Sequence, residues 1–417
     1  MKKLISITIL MILPLLCIAE QYTLEELINI GLESSYDIQQ EIANKKNSSS
    51  EFRSSVYGIL PSLTAGVGKT KYYDQIIEPN ETDWSKSGYL TLSKSFFLND
   101  PSLYNVHTSI YGMKNAKSSL DETRKQIAYY VFASYLGVLE LQETLEIQQK
   151  NLKLQNKIQQ QIKVQYETGN KSLLELKQSE VSLIDYEIAV NEAANLLSKS
   201  RKDLFSYLNI DDAAFEFVVP DFSSISTTSE FTSNNLLNQK LNSLKINKLL
   251  HFQTTMNLLP TISIDYSFAH SDNGDVNEFS EYSRDSQALS ISASWNIFGL
   301  MDNFERIIRS KRNLKIKKLD YVKSKKDYGL QLTNLQNDLT TLKRSFELYE
   351  SKLKLAEENL NMAQEHFRLG MISLLDLDRS KIDFQNTQLA RIQNNYRLMK
   401  KQEAINLLLS NLILGKW

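Results

Sequence analysis

One stretch occurs twice and sets the geometry of everything around it. It reads Tyr166-Glu167-Thr168-Gly169-Asn170-Lys171-Ser172-Leu173-Leu174-Glu175-Leu176, and again Phe367-Arg368-Leu369-Gly370-Met371-Ile372-Ser373-Leu374-Leu375-Asp376-Leu377. Glycine is the usual residue just past a helix C-terminus, because it takes positive φ without a Cβ clash. Serine three positions later is a good N-cap, and the acid three beyond it completes a capping box. Each copy therefore predicts a tight turn between two antiparallel helices. The scarcity of breakers agrees: 13 glycines and 6 prolines in 417 residues suit a helix-rich chain.

The chain begins with a stretch that reads as a secretory signal over residues 1–19. Lys2 and Lys3 form its charged start, Leu4 to Leu16 its apolar core, and Ala19 its small cleavage residue. Cys17, the only cysteine, falls inside it, so the mature chain is expected to carry no disulfide and no thiolate metal site. Cys17 also admits a reading as a lipoprotein acylation site, against which stands the bulky Leu16 before it. Net charge is −1, which offers no field to recruit nucleic acid. The four histidines are scattered, and no nucleophile, metal or phosphate-binding motif appears, so neither catalysis nor a cofactor is expected.

Two structural repeats follow, at 20–208 and 234–413, separated by a connector at 209–233 and trailed by residues 414–417. Each repeat has the same order. In the first, Thr23-Leu24-Glu25-Glu26 opens a helix that runs with one interruption to Tyr57. A hairpin over 60–97 comes next, with strands at Leu60–Tyr73 and Tyr89–Phe97 around a polar segment, Asp74–Gly88. Asp100-Pro101 then starts a helix of about 65 residues, on the order of 100 Å, and a return helix runs from Leu173 to about Leu208. In the second repeat, Leu236–Leu258 is helical and a hairpin over 260–297 alternates cleanly around the polar segment His270–Gln287. Asp302 and Glu305 are expected to cap a helix to Leu369, and the return helix reaches about Ile413. Leu332, Leu335, Leu339, Leu342, Phe346, Tyr349, Leu353, Ala356, Leu360, Ala363 and Phe367 are spaced 3,4,3,4, a seam that requires a coiled-coil partner. Pro61 and Pro260, and Phe96 and Trp295, stand 199 residues apart, which marks the duplication.

The strands present two faces. In Ala288–Ile297 one is Leu289, Ile291, Ala293, Trp295 and Ile297; the other is Ser290, Ser292, Ser294 and Asn296. Either the apolar face covers a soluble core, or it faces lipid around a wet lumen. Four strands cannot close a barrel, and lipid does not tolerate an open sheet edge. If these strands span a membrane, several chains must share one barrel.

At this point the chain resembles the TolC family of outer-membrane efflux channels over nearly its whole mature length. Tyr22-Thr23-Leu24-Glu25-Glu26-Leu27, the Leu60-Pro61 and Leu259-Pro260 strand openings, and the aromatic-x-x-Gly-x-x-Ser-Leu-Leu-acid pattern carry the likeness. The resemblance implies a mainly α fold with β-structure, in which a homotrimer joins a 12-stranded outer-membrane β-barrel to a long coiled-coil α-helical barrel in the periplasm. It implies passive conduction for a tripartite efflux pump or a type I secretion system, with a periplasmic adaptor protein, an inner-membrane transporter and outer-membrane lipid as partners. The segments Asp74–Gly88 and His270–Gln287 would be outer-surface loops, and 209–233 an equatorial belt.

It also implies roles for the turn residues. Gly169, Ser172, Gly370 and Ser373 would form adaptor-docking turns at the periplasmic tip. Asp376 matches an acid that narrows the entrance and binds cations in the family. The second such acid is replaced by Arg379, with Asp378 one place earlier; Glu175 is the first-repeat counterpart. Tyr89, Phe97, Tyr266 and Trp295 are candidates for interfacial girdles. The rival reading is a secreted coiled-coil structural or adhesion rod whose hairpins are accessory.

Overall fold

A computed structural model describes residues 23–71, 84–95, 100–211, 217, 234–272 and 284–417. The signal segment, Cys17, Phe97, the tips of both hairpins and most of the connector lie outside these residues. The first repeat holds α1 (Leu24–Ser34), α2 (Tyr36–Tyr57), β1 (Ser62–Lys71), β2 (Trp84–Ser95), α3 (Pro101–Glu167) and α4 (Leu173–Leu208). The second holds α5 (Asn235–Met256), β3 (Thr261–Asp272), β4 (Arg284–Ser294), α6 (Gly299–Arg368) and α7 (Leu374–Leu408), followed by a short 3-10 turn, Ile413–Gly415.

The four strands form one antiparallel sheet in the order β1-β2-β3-β4. Below it the helices pack side by side as α2, α3, α5 and α6, the same order as the strands they adjoin. Further down, where α2 and α5 have ended, α4 and α7 take their places and the order becomes α4, α3, α7, α6. Apart from α1, the described helices thus form a wall one helix thick and four elements wide. The 67 residues of α3 and the 70 of α6 make it about 100 Å long.

The main core sits where the two helix sets exchange. Phe132, Tyr135 and Leu136 of α3 are fully buried there against Leu27 and Ile28 of α1, Leu204, Phe205 and Leu208 of α4, and Tyr396 of α7. A second, smaller cluster near the lower end gathers Ile158, Ile162, Leu176, Leu360, Phe367, Leu374 and Leu377. The heptad seam of α6 points inward along its length: Leu332, Leu339, Ala356, Leu360, Ala363 and Phe367 are buried and the other members half-buried. Its partner is α7 of the same chain.

Several boundaries differ from the sequence expectations, each for a local reason. α6 begins at Gly299, with no side-chain cap from its N-cap residue, Phe298. Asn296 accepts the Gly299 N–H at 2.9 Å, so the helix is already running when it reaches Asp302. β2 starts at Trp84 rather than Tyr89, and β3 and β4 reach Asp272 and Arg284. These polar strand ends lie where the apolar alternation stops, which made them read as loop. Lys94, on the apolar side of β2, reaches past the sheet end to Asp100 at 3.2 Å. α7 stops at Leu408, and the last residues are docked: Trp417 Nε1 donates to Asn29 Oδ1 at 3.1 Å, and Leu414 N donates to the buried Glu403 at 3.0 Å.

Candidate conduit wall and entrance

Register across the sheet sorts every strand onto two faces. Leu63, Leu92, Tyr266 and Leu289 stand in one row, and Ala65, Leu90 and Phe268 in another on the same side. The opposite face carries Ser62, Ser93, Asp265 and Ser290 in one row and Thr64, Thr91 and Ser267 in the next. The apolar face has no cover among the described residues: Leu289 is 69% exposed and Ile291 72%. Tyr89 belongs to the polar face, not to an apolar girdle. Its ring lies over Gly66, where a Cβ would sit 2.4 Å from it. Trp295 falls on the apolar side just past β4, and its Nε1 donates to Leu258 O at 3.2 Å.

Both flanks of the wall are open as well. At one edge of the lower wall α4 exposes Leu174, Val181 and Ile188; at the other, α6 exposes Leu348, Leu355 and Met362, and its C-cap Leu369 continues the row. Each set recurs every seven residues, on the side of its helix away from the packed seam. These are two coiled-coil stripes without partners in the protomer.

The lower end is made by the two repeated turns. Gly169 and Gly370 have φ of +78° and +74°. Asn170 N donates to Gln165 O, and Met371 N to His366 O, both at 2.8 Å, closing the two helices in the same way. Ser172 and Ser373 then cap α4 and α7 in full capping boxes. In the first, Glu175 accepts from Ser172 N and Oγ, both at 3.0 Å, and pairs with Lys171 at 2.8 Å. Lys171 and then Ser172 hold the Glu175 carboxyl below its usual range. The same ammonium lies 4.6 Å from the Phe367 ring centre, tying the first turn to the second repeat. In the second, Asp376 accepts from Ser373 Oγ at 2.6 Å and is exposed. Its pKa is lowered by Ser373, with a small contribution from Arg379.

Asp378 has a different employment. It pairs at 3.1 Å with Lys381, whose side chain is completely buried. Lys381 also donates to Gln155 Oε1 of α3 and lies 5.2 Å from the Tyr186 ring of α4. Burial pushes its pKa down, against the opposing pull of Asp378. Tyr186 in turn donates to Gln385 Oε1 of α7 at 3.0 Å. This polar knot joins α3, α4 and α7 roughly 10 to 20 Å above the turn. Sequence reasoning missed Lys381; its only sequence signal was the i,i+3 spacing from Asp378.

The family model described as outer membrane efflux protein matches residues 27–209 and 253–411. The chain belongs to the outer membrane efflux protein family. Among solved structures, the outer-membrane protein VceC of Vibrio cholerae aligns with TM-score 0.80 at 14% identity, over 94% of this chain and 96% of that one. CmeC, an outer-membrane channel of Campylobacter jejuni, aligns with TM-score 0.77 at 14% identity, over 94% and 87%. CusC, described for transmembrane channel formation, aligns with TM-score 0.82 at 12% identity, over 94% and 93%. At these identities the likeness concerns the fold. No curated protein sequence matches this efflux protein. As an outer membrane efflux protein it is assigned to the outer membrane.

Proposed function

We propose that three copies of this efflux protein close into one passive conduit, the exit duct of a tripartite efflux pump or a type I secretion system. The observation that carries this reading is the pair of open edges. Four strands stand over four helices, and both layers end in unpartnered edges. A lipid-facing sheet cannot keep an open edge. Three copies, the number the TolC resemblance implies, give twelve strands over twelve helices and pair each α4 stripe with an α6 stripe of the next copy. Lipid covers the apolar face; the Ser/Thr face lines the lumen. Energy comes from an inner-membrane transporter, joined through a periplasmic adaptor at the Gly169–Ser172 and Gly370–Ser373 turns. Asp376, rather than the paired Asp378 or Glu175, supplies free negative charge at the entrance, where three copies favour cations.

Val181→Asp and Leu355→Asp test the closure. Both side chains are well exposed in the protomer, so each variant should keep its helical circular dichroism. Each should also lose the trimer in sizing and native electrophoresis. A trimer that survives both substitutions would place the closing contact elsewhere.

A further inference from the structure

One side of α6 in the upper part of the wall carries charge of a single sign. Lys311, Lys318 and Lys325 of α6 recur every seven residues and are exposed. Each follows by one position a half-buried residue that points along the wall, namely Ser310, Lys317 and Ser324. Ser310 is fixed towards α5 by a 2.6 Å bond to His251. One residue is about 100° of helix, so the three lysines stand a quarter-turn off the packed row, on one wet face. Asp302, Asp320 and Asp327 each precede a half-buried residue, Asn303, Tyr321 and Tyr328, and so take the opposite wet face.

α3 runs parallel to α6 but flanks α5 on its other side. A step back along α3 therefore leads to the same side of the wall as a step forward along α6. Asn115 faces α5, accepting from Asn242 Nδ2 at 2.9 Å. Lys114, one step back, is exposed on the lysine side. Lys245 of α5 shares the Tyr111 ring with it, the two ammoniums lying 5.5 Å and 5.6 Å from its centre. The anchoring bonds put Lys114, Lys245 and Lys318 at about the same height. Neither α3 above Asp121 nor α5 contains an acid to offset them. None of these five lysines has an ion-pair partner among the described residues.

We infer that this lysine side faces the lumen and forms an anion-attracting collar roughly 20 to 40 Å below the sheet, which gives the conduit a preference for anionic solutes in its upper half. The inference rests on the conduit reading. A protein exterior ordinarily intersperses both signs, as the Asp302–Asp327 side does with Arg309 and Lys323. A single-sign surface acts on what passes it, and a low-dielectric wall focuses that field into the enclosed water.

The test is reconstitution of the full chain in planar bilayers under a potassium chloride gradient. The triple variant K311Q/K318Q/K325Q should shift the reversal potential towards cations, lowering the anion-to-cation permeability ratio several-fold. Separately, Lys318→Cys treated with a sulfonate-bearing thiol reagent should lose single-channel conductance. The native sequence offers that reagent only Cys17, within the signal segment. An unchanged reversal potential in the triple variant, or full modification of Lys318→Cys without change in current, would put the lysines outside the lumen and overturn the proposal. Absence of any current from the unmodified protein would instead strike the conduit reading and remove the collar with it.

Discussion

The two turns at the lower end are nearly superimposable in their backbone and differ in their electrostatics. Both have a glycine at positive φ, a serine cap and an acid reaching back to it. In the first, Lys171 sits on the acid and the Phe367 ring, so Glu175 is neutralised in place. In the second, position 372 is isoleucine, and Asp376 is held by the Ser373 hydroxyl and amide, with Arg379 as a weaker cationic neighbour and no direct ion pair among the described residues. The difference teaches that a capping box fixes an acid's position without fixing its charge balance. Duplication supplied two copies of one turn, and a single neighbouring residue separated their electrostatic roles.

That contrast can be broken in order of effect. Asp376→Asn should move the reversal potential of reconstituted channels clearly towards anions, whereas Glu175→Gln should move it far less, because Lys171 already offsets that charge. Equal shifts would mean that the ion pair does not govern the entrance field. Lys171→Gln should next make the first turn resemble the second, adding cation preference by an amount smaller than the loss in Asp376→Asn. Failure to move selectivity would place Glu175 away from the lumen.

Acid should separate the turns more gently. Asp376 has its folded pKa depressed below the ordinary 3.8. A carboxylate with a depressed folded pKa adds stability that is present above its unfolded value and is lost as pH falls through the lower, folded value. The entrance should therefore keep its cation preference at pH 5 and lose it only below about 4. Selectivity recorded from pH 7 to pH 3 checks this, and a loss near pH 6 would point to another group.

The smallest contrast concerns the glycines. Alanine at either glycine meets open space but must hold positive φ, at about 1–2 kcal/mol. Denaturant unfolding of Gly169→Ala and Gly370→Ala should give nearly equal losses, in keeping with turns that match in backbone.

How much of this was legible in the sequence depends on range. The turns were readable because each is decided within seven residues by glycine, serine and an acid. The heptad seam was readable because eleven positions repeat one spacing, and the strand faces because apolar and polar residues alternate along each strand. The start of α6 was misplaced because a single bond from Asn296 outweighed the Asp302–Glu305 pattern. Lys381 was invisible because its partners, Gln155 and Tyr186, lie more than 190 positions away on other helices. The lysine side was likewise hidden, since it is assembled from three helices and appears only once the wall order is known.

The claim beneath all of these is that one chain is a third of a closed tube. Electron microscopy of the protein purified from outer membranes in detergent tests it directly. A three-fold tube with a detergent belt at one end and a rod projecting about 100 Å from it is the predicted result. A detergent-free monomeric rod, or a particle without three-fold symmetry, would contradict it and leave the apolar sheet face without its explanation.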